Sequence, residues 1–277
     1  MWSATRMDRQ AVLEAFDQLR RNPGTDQPEG HVEHDKRITR YLSRSGGWNG
    51  VVWSDLDESS ADEVIADQVQ RFASVCDEWE WKHYSYDSPA DLPRRLVAAG
   101  LTPQPEEALL VADVADLALD VPTPPGVELR PVVEEAEVTA LVSLHDAVFG
   151  VDHAAVGEAI RRGLARDPST VAAVIAWAGD APVAAARVEF HYGTDFASLW
   201  GGGTIPGWRG RGVFRSLVAH RAAEAASSGF RYLQVDASED SRPILERLGF
   251  VELARTTPFV HAHRPAGPPW RISTDWI

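Results

Sequence analysis

From residue 126 onward, apolar and polar positions follow one another in a regular succession. GVELRPV (126–132) alternates as a half-buried strand does, and EEAEVTALVSLHDAVFG (134–150) changes to helical spacing with a glycine stop. DHAAVGEAIRRGLARD (152–167) predicts a second helix. TVAAVIAWA (170–178) is apolar almost throughout, the pattern of a strand covered on both faces. Turns at Gly179-Asp180 and Gly193-Thr194-Asp195 lead into strands APVAAARVEFH (181–191) and FASLWGGGTI (196–205). A helix over 213–229 keeps Leu217, Val218, Ala222 and Ala225 on one face and ends at Gly229. Strand RYLQVDAS, short helix SRPILERLG and strand FVELARTTPFVHA complete the order β-α-α-β-β-β-α-β-α-β. The fold class that follows is α/β (an α+β mixed sheet), with helices packed on the sheet faces.

The first half carries a related but shorter pattern. DRQAVLEAFDQLRR predicts a helix, HVEHDKRITRYL and WNGVVWS two strands, and SADEVIADQVQRFASVC (60–76) a helix. Compared with itself at an offset of 149, the chain lays YDSPADLPRRLVAAGL (86–101) over VDASEDSRPILERLGF (235–250), with Asp87 on Asp236, Leu96 on Leu245 and Gly100 on Gly249. The aligned order of strand, short helix, glycine and strand indicates duplication. Between the halves, LALDVPTPPGVELR (117–130) has the proline content of an extended connector. The expected division is residues 1–117, a linker at 118–126, and residues 127–277.

Composition narrows the partners. The 277 residues carry a formal charge of -14, which argues against nucleic acid and anionic membranes as partners. Cys76 is the only cysteine, so an internal disulfide and a Cys-rich metal site are excluded, and no histidine pair has metal-ligand spacing together with supporting ligands. MWSATRMDRQAVLEAF lacks a signal-type apolar core, and no apolar run reaches membrane-spanning length. These features predict a cytoplasmic protein without a metal; homodimer formation stays open.

WGGGTIPGWRGRGVF (200–214) holds six glycines and two arginines between a predicted strand and a predicted helix. The first N–H groups of a helix have no internal acceptors, and glycines before them let those groups converge on an anion. With Arg209 and Arg211 beside it, this turn predicts a phosphate or pyrophosphate site. It is not a Rossmann fingerprint, because Arg215 stands where the third glycine belongs, and it lacks the G-K-[ST] of a P-loop.

Arg209-Gly210-Arg211-Gly212-Val213-Phe214 resembles the R/Q-x-x-G-x-G/A signature of the GNAT acetyltransferase superfamily, and LQVDASEDSRPILERLGFVEL (233–253) resembles its fifth strand, fourth helix and Gly-Phe corner. The resemblance covers most of residues 126–262, and it implies two GNAT-like domains, the second complete and the first shortened. It implies acetyl-CoA (or another acyl-CoA) as co-substrate, with Gly210, Arg211, Gly212, Val213, Phe214 and Arg215 at the pyrophosphate and Gly202, Gly203 and Thr204 along the pantetheine amides. Ser238 takes the place of a frequent Asn contact, and Leu245 stands where the family often has a Tyr general acid. Phe214 replaces Gly or Ala, and its side chain is expected to point away from the ligand into the core. The implied reaction is N-acyl transfer to a neutral amine of an unidentified acceptor by direct attack on the thioester. Leu245 keeps a catalytically silent CoA-binding or sensor protein as the alternative. Glu189, sharing a strand face with Arg187 and His191, is the expected base, and pairing with Arg187 or His191 is its structural alternative. At the 149 offset the first half has Ala61-Asp62-Glu63 where the second has Gly210-Arg211-Gly212, so it is not expected to bind CoA.

Overall fold

The computed structural model describes residues 7–23, 26–27, 30–44 and 47–262, so the outer ends of the expected halves, 1–6 and 263–277, lie outside it. The first half forms α1 (Arg9–Arg21), β1 (Asp26–Gln27), β2 (Gly30–His34), β3 (Ile38–Ser43), β4 (Gly50–Ser54), α2 (Ala61–Ala73), β5 (Glu78–Tyr84), α3 (Leu92–Ala98), β6 (Thr102–Pro103) and β7 (Glu107–Asp113). The second forms β8 (Val127–Pro131), α4 (Glu135–Phe149), α5 (Ala154–Leu164), β9 (Val171–Ala178), β10 (Ala181–Phe190), β11 (Phe196–Thr204), α6 (Val213–Ser227), β12 (Tyr232–Ala237), α7 (Arg242–Arg247) and β13 (Val251–Ala262).

The second half follows the sequence pattern closely, because its turns carry their own chemistry. Gly150, Gly179, Gly193 and Gly229 all adopt the positive φ that ends a helix or reverses a strand. The predicted strand at 31–42 is instead a hairpin of β2 and β3. The carboxylate of Asp35 accepts from Arg37 N and Ile38 N at 3.0 and 3.1 Å, closing a turn that side-chain alternation alone does not reveal.

All strands belong to one sheet ordered β1-β2-β3-β4-β5-β13-β7-β12-β11-β10-β9-β8, with β6 also on β13. The two halves exchange their last strands. β7 of the first half runs antiparallel to β12 of the second, and β13 of the second lies between β5 and β7. Leu109, Leu110 and Val111 at this seam are fully buried. On one face α6 and α7 pack over Leu110, Val188, Leu199 and Leu233. On the other, α1 sets Val12, Phe16 and Leu19 against Tyr84 and Leu109 of its own half and Phe196 and Tyr232 of the other. Among the described residues no helix is long and apolar enough to cross a membrane.

Both halves run strand, helix, strand, helix (β4-α2-β5-α3 and β11-α6-β12-α7), but the offset between them changes midway. Helices α3 and α7 end at Ala98 and Arg247, 149 positions apart, whereas α2 and α6 end at Ala73 and Ser227, 154 apart. The loop between β5 and α3 is longer, residues 85–91 against 238–241 between β12 and α7, and the rest of the shift falls within the flanking elements. Asp236 lies inside β12, while Asp87 lies in the turn after β5, where it accepts from Tyr84 N and pairs with Arg20. Ala61, Asp62 and Glu63 belong to the first turn of α2, and the stretch that corresponds to the glycine-arginine turn is Leu56-Asp57-Glu58.

Strand exchange makes a prediction. Residues 118–277 produced alone lack β7, leaving β12 and β13 with unpaired edges and a stripped apolar face. They are expected to aggregate or remain unfolded by circular dichroism and sedimentation. A soluble monomer melting with the full chain's midpoint would contradict the exchange.

Candidate functional site

Strands β11 and β12 run parallel and pair only at Phe196–Tyr232, Ala197–Leu233 and Ser198–Gln234. Both continue, to Thr204 and Ala237, without further pairing. Their divergence opens a cleft, and the triple glycine shapes one wall of it. Pairing of β10 with β11 shifts between Ala185–Gly203 and Arg187–Trp200, which marks a bulge at Gly201 and Gly202. Gly201 has φ 58°, and a Cβ there would stand 2.8 Å from the His145 ring. A Cβ at Gly203 would stand 2.8 Å from Phe149, and one at Gly202 2.9 Å from Phe214. Two of these glycines admit side chains of α4, and the third admits one of α6.

The cleft floor is a cavity of about 20 Å³, room for about one water. Trp200 and Gly202 line it from β11, Val235 and Asp236 from β12, Phe214 and Arg221 from α6, and Leu245 from α7. Phe214 thus departs from the expectation that it points away from the cleft: the ring packs on the core and also covers Gly202, because that residue has no Cβ to hold it off. Arg221 is 2% exposed. It donates from Nε to Leu217 O at 3.1 Å and from Nη1 to Arg187 O at 3.3 Å. Burial, with the nearby Arg187 cation, pushes its pKa down to about 9.

At the open end of the cleft, Gly210 and Gly212 have φ 72° and 90°. Gly212 is the N-cap of α6, and no side chain caps that end. Arg209 Nε donates to Thr204 O at 3.0 Å, tying the turn to β11, while the Arg211 guanidinium lies 4.8 Å from the Trp208 ring centre. Gly210, Arg211, Gly212 and Arg215 are exposed, and Val213 is buried. The corresponding turn of the first half is different. Asp57 accepts from Ser59 N and Ser60 N at 3.0 and 2.9 Å, so a carboxylate of the chain itself occupies that anion position. β4 and β5 also pair only at Gly50–Glu80 and Val51–Trp81, but there Arg20 Nε donates to the freed Val52 carbonyl at 3.0 Å.

Glu189 shares its sheet face with Arg187 and is held by Arg187 Nε at 2.8 Å. It pairs with Ser198, on the last rung where β11 and β12 remain joined. Ser238 stands away from the cavity wall; its Oγ accepts from Ser241 N at 3.4 Å in the turn before α7. Thr204 is buried, and its hydroxyl has no partner among the described residues.

Sequence reasoning missed a buried ionic cluster built by both halves. Lys82 Nζ lies 2.5 Å from Asp236, Tyr84 Oη donates to the same carboxylate, and Trp48 Nε1 donates to Glu80 at 2.9 Å. Burial pushes the Glu107 carboxyl up to about 8, with Asp236 and Glu80 adding to the rise against the opposing pull of Lys82. Lys82 Nζ also lies 5.6 Å from the ring centre of Trp200 on the cleft wall. Period-two spacing in EWEWKHY places Glu80, Lys82 and Tyr84 on one face, which was the available signal. Their meeting with Asp236 depends on the exchanged strands.

Residues 138–250 match a family model described as the acetyltransferase (GNAT) family. Solved structures share the fold. A GCN5-related N-acetyltransferase from Kribbella flavida aligns at TM-score 0.70 and 18% identity, over 93% of this chain and 96% of its own. One from Sphaerobacter thermophilus aligns at 0.60 and 14%, over 85% and 83%. A tandem GNAT protein from the clavulanic acid biosynthesis pathway aligns at 0.57 and 14%, over 96% and 91%. No curated protein matches the sequence.

The bulge carries two predictions. Gly201→Ala forces a side chain into positive φ and against His145, and should cost about 1–3 kcal/mol in thermal unfolding; an unchanged melting midpoint would contradict this packing. His145 is fully buried, and burial, Arg187 and His153 push its pKa down to about 3 from 6.5. Its contribution to stability is therefore complete above about pH 6.5 and is lost as pH falls toward 3. Melting curves from pH 7 to 5 should show this loss, and His145→Leu should flatten it.

Proposed function

We propose, from the match of residues 138–250 to the acetyltransferase (GNAT) family, that the second half is an acyl-CoA-dependent N-acyltransferase acting on a primary amine. The observation that carries this reading is an uncapped helix start, at Gly212, standing at the open end of two parted strands. The N–H groups from Gly210 to Arg215 would take the pyrophosphate, with Arg211 and Arg215 nearby as exposed cations. Gly202, Gly203 and Thr204 would face the pantetheine amides, for which the unpaired rungs of β11 offer backbone partners. Acyl-CoA supplies the activated carbonyl. The first half, with Asp57 in its own anion position, braces the seam and walls the acceptor side. The proposed division is 1–117, linker 118–126 and 127–277.

In the proposed reaction a neutral amine attacks the thioester carbonyl, the C–N bond forms, and the C–S bond breaks with its electron pair moving to sulfur. The nucleophile must first lose the ammonium proton to a base. Two carboxylates are proposed for this step. Glu189 is the candidate from the sequence, and its pairing with Arg187 also gives it a structural occupation. Glu107 neighbours the Lys82–Asp236 pair, of which Asp236 lines the cavity, and burial raises its pKa to about 8, near the working range of a general base.

The silent CoA-binding alternative draws support from Leu245, which cannot donate a proton, and from Phe214, which narrows the cleft. Turnover separates the readings. A thiol-release assay with acetyl-CoA and a panel of amines should give turnover with at least one of them. Binding without thiol release would favour the silent protein. Glu107→Gln should lower kcat/KM by about 10²–10⁴-fold and remove a limb that rises as pH passes about 8, since only the ionised carboxylate accepts a proton. Glu189→Gln should have the smaller effect; the reverse order would assign the base to Glu189. Phe214→Ala should tighten CoA binding several-fold by calorimetry.

A further inference from the structure

Arg221 is the least explained charge among the described residues. Its side chain is buried, and among the described residues no carboxylate lies within ion-pair distance of it. The nearby ionic group is another cation, Arg187, whose own partner is Glu189. A buried guanidinium without an acid is costly, and three backbone carbonyls, one of them at 3.5 Å, replace only part of its lost hydration. Its Nη2 makes no hydrogen bond to a described residue and lies where a Cβ on Gly202 would stand 3.5 Å away, beside the cavity between the parted strands. This is a cation presented to an anion that the chain does not supply.

The position indicates which anion. Arg221 lies nine residues along α6 from Gly212, about 13 Å down the helix axis. Its Nη1 also reaches toward the Trp200 carbonyl, at 3.5 Å, two positions beyond the last paired residue of β11, Ser198. A molecule with phosphates at the start of α6 and a tail between the strands would bring that tail's reactive end to Arg221. Leu245, on the same cavity wall, offers the tail no proton.

We propose that Arg221 binds the sulfur of the departing coenzyme A thiolate and so performs by charge what a proton donor at position 245 would otherwise do; this rests on the acyl-CoA reading above. As the C–S bond breaks, the electron pair settles on sulfur against the guanidinium. The proton released by the attacking amine passes through the carboxylate base and water to the thiolate, leaving an amide and free coenzyme A thiol. Arg221 keeps its own proton throughout. A guanidinium within about 4–6 Å lowers the pKa of a neighbouring acid by roughly 1–3 units, and a free thiol starts near about 8.5.

The test titrates coenzyme A itself in complex with the full chain, reading thiolate absorbance in the ultraviolet. Binding is confirmed beforehand by calorimetry. The bound thiol should titrate roughly 1–3 units below free coenzyme A. Arg221→Met should restore the free value and lower kcat about 10²–10³-fold, while Arg221→Lys should keep part of the shift. A bound thiol in the unaltered protein that titrates like free coenzyme A would overturn the proposal while leaving the acyl-CoA site standing. Absence of coenzyme binding would overturn both. The measurement on the unaltered protein is decisive even where Arg221→Met fails to fold.

Discussion

The second half is organised by an interruption of hydrogen bonding: β11 and β12 pair as far as Ser198 and Gln234 and then part. Two neighbouring strands ordinarily keep their backbone groups paired, and separating them leaves donors and acceptors that need other partners. The bulge at Gly201 and Gly202 turns β11 away, His145 and Phe149 of α4 occupy the space that missing side chains leave, and Arg221 reaches the freed Trp200 carbonyl of β11 at 3.5 Å. In the proposed reading the remaining groups on the cleft walls pair with an extended ligand lying between the strands. The helix that starts beyond the cleft has an uncapped N-terminus, the place proposed for the same ligand's anionic end.

The first half shows the same frame with the corresponding backbone groups already bonded within the chain. Arg20 takes the carbonyl released where β4 and β5 separate, and Asp57 takes the N–H groups before α2. Each substitution satisfies internally what the second half leaves available. The exchange of β7 and β13 also brings Lys82 to Asp236 across that seam and sets Glu107 near the pair. The strands that hold the halves together thus carry the buried acids as well.

Much of this was legible in the sequence. The continuous apolar run of β9, the helical face of α6 and the glycines ending α4 and α6 each specify local structure through their own chemistry. The glycine-arginine turn could be read because its backbone needs are local too. The strand exchange could not. EALLVAD in β7 is buried on both faces and would suit either neighbour, so its pattern does not choose between β12 and a partner in its own half. The match of Asp87 to Asp236 was a coincidence of residue type across a five-residue change in register. The direction of the Phe214 ring depended on Gly202, a residue from another strand, and the isolation of Arg221 depended on which acids failed to reach it.

The most direct measurement of the central claim is a crystal structure of the full chain with acetyl-CoA. The account predicts diphosphate oxygens on the N–H groups between Gly210 and Arg215, pantetheine amides paired with β11 beyond Ser198, and a Phe214 ring rotated off Gly202. Coenzyme bound elsewhere on the molecule, or a cleft still closed by Phe214 at saturating coenzyme, would contradict it.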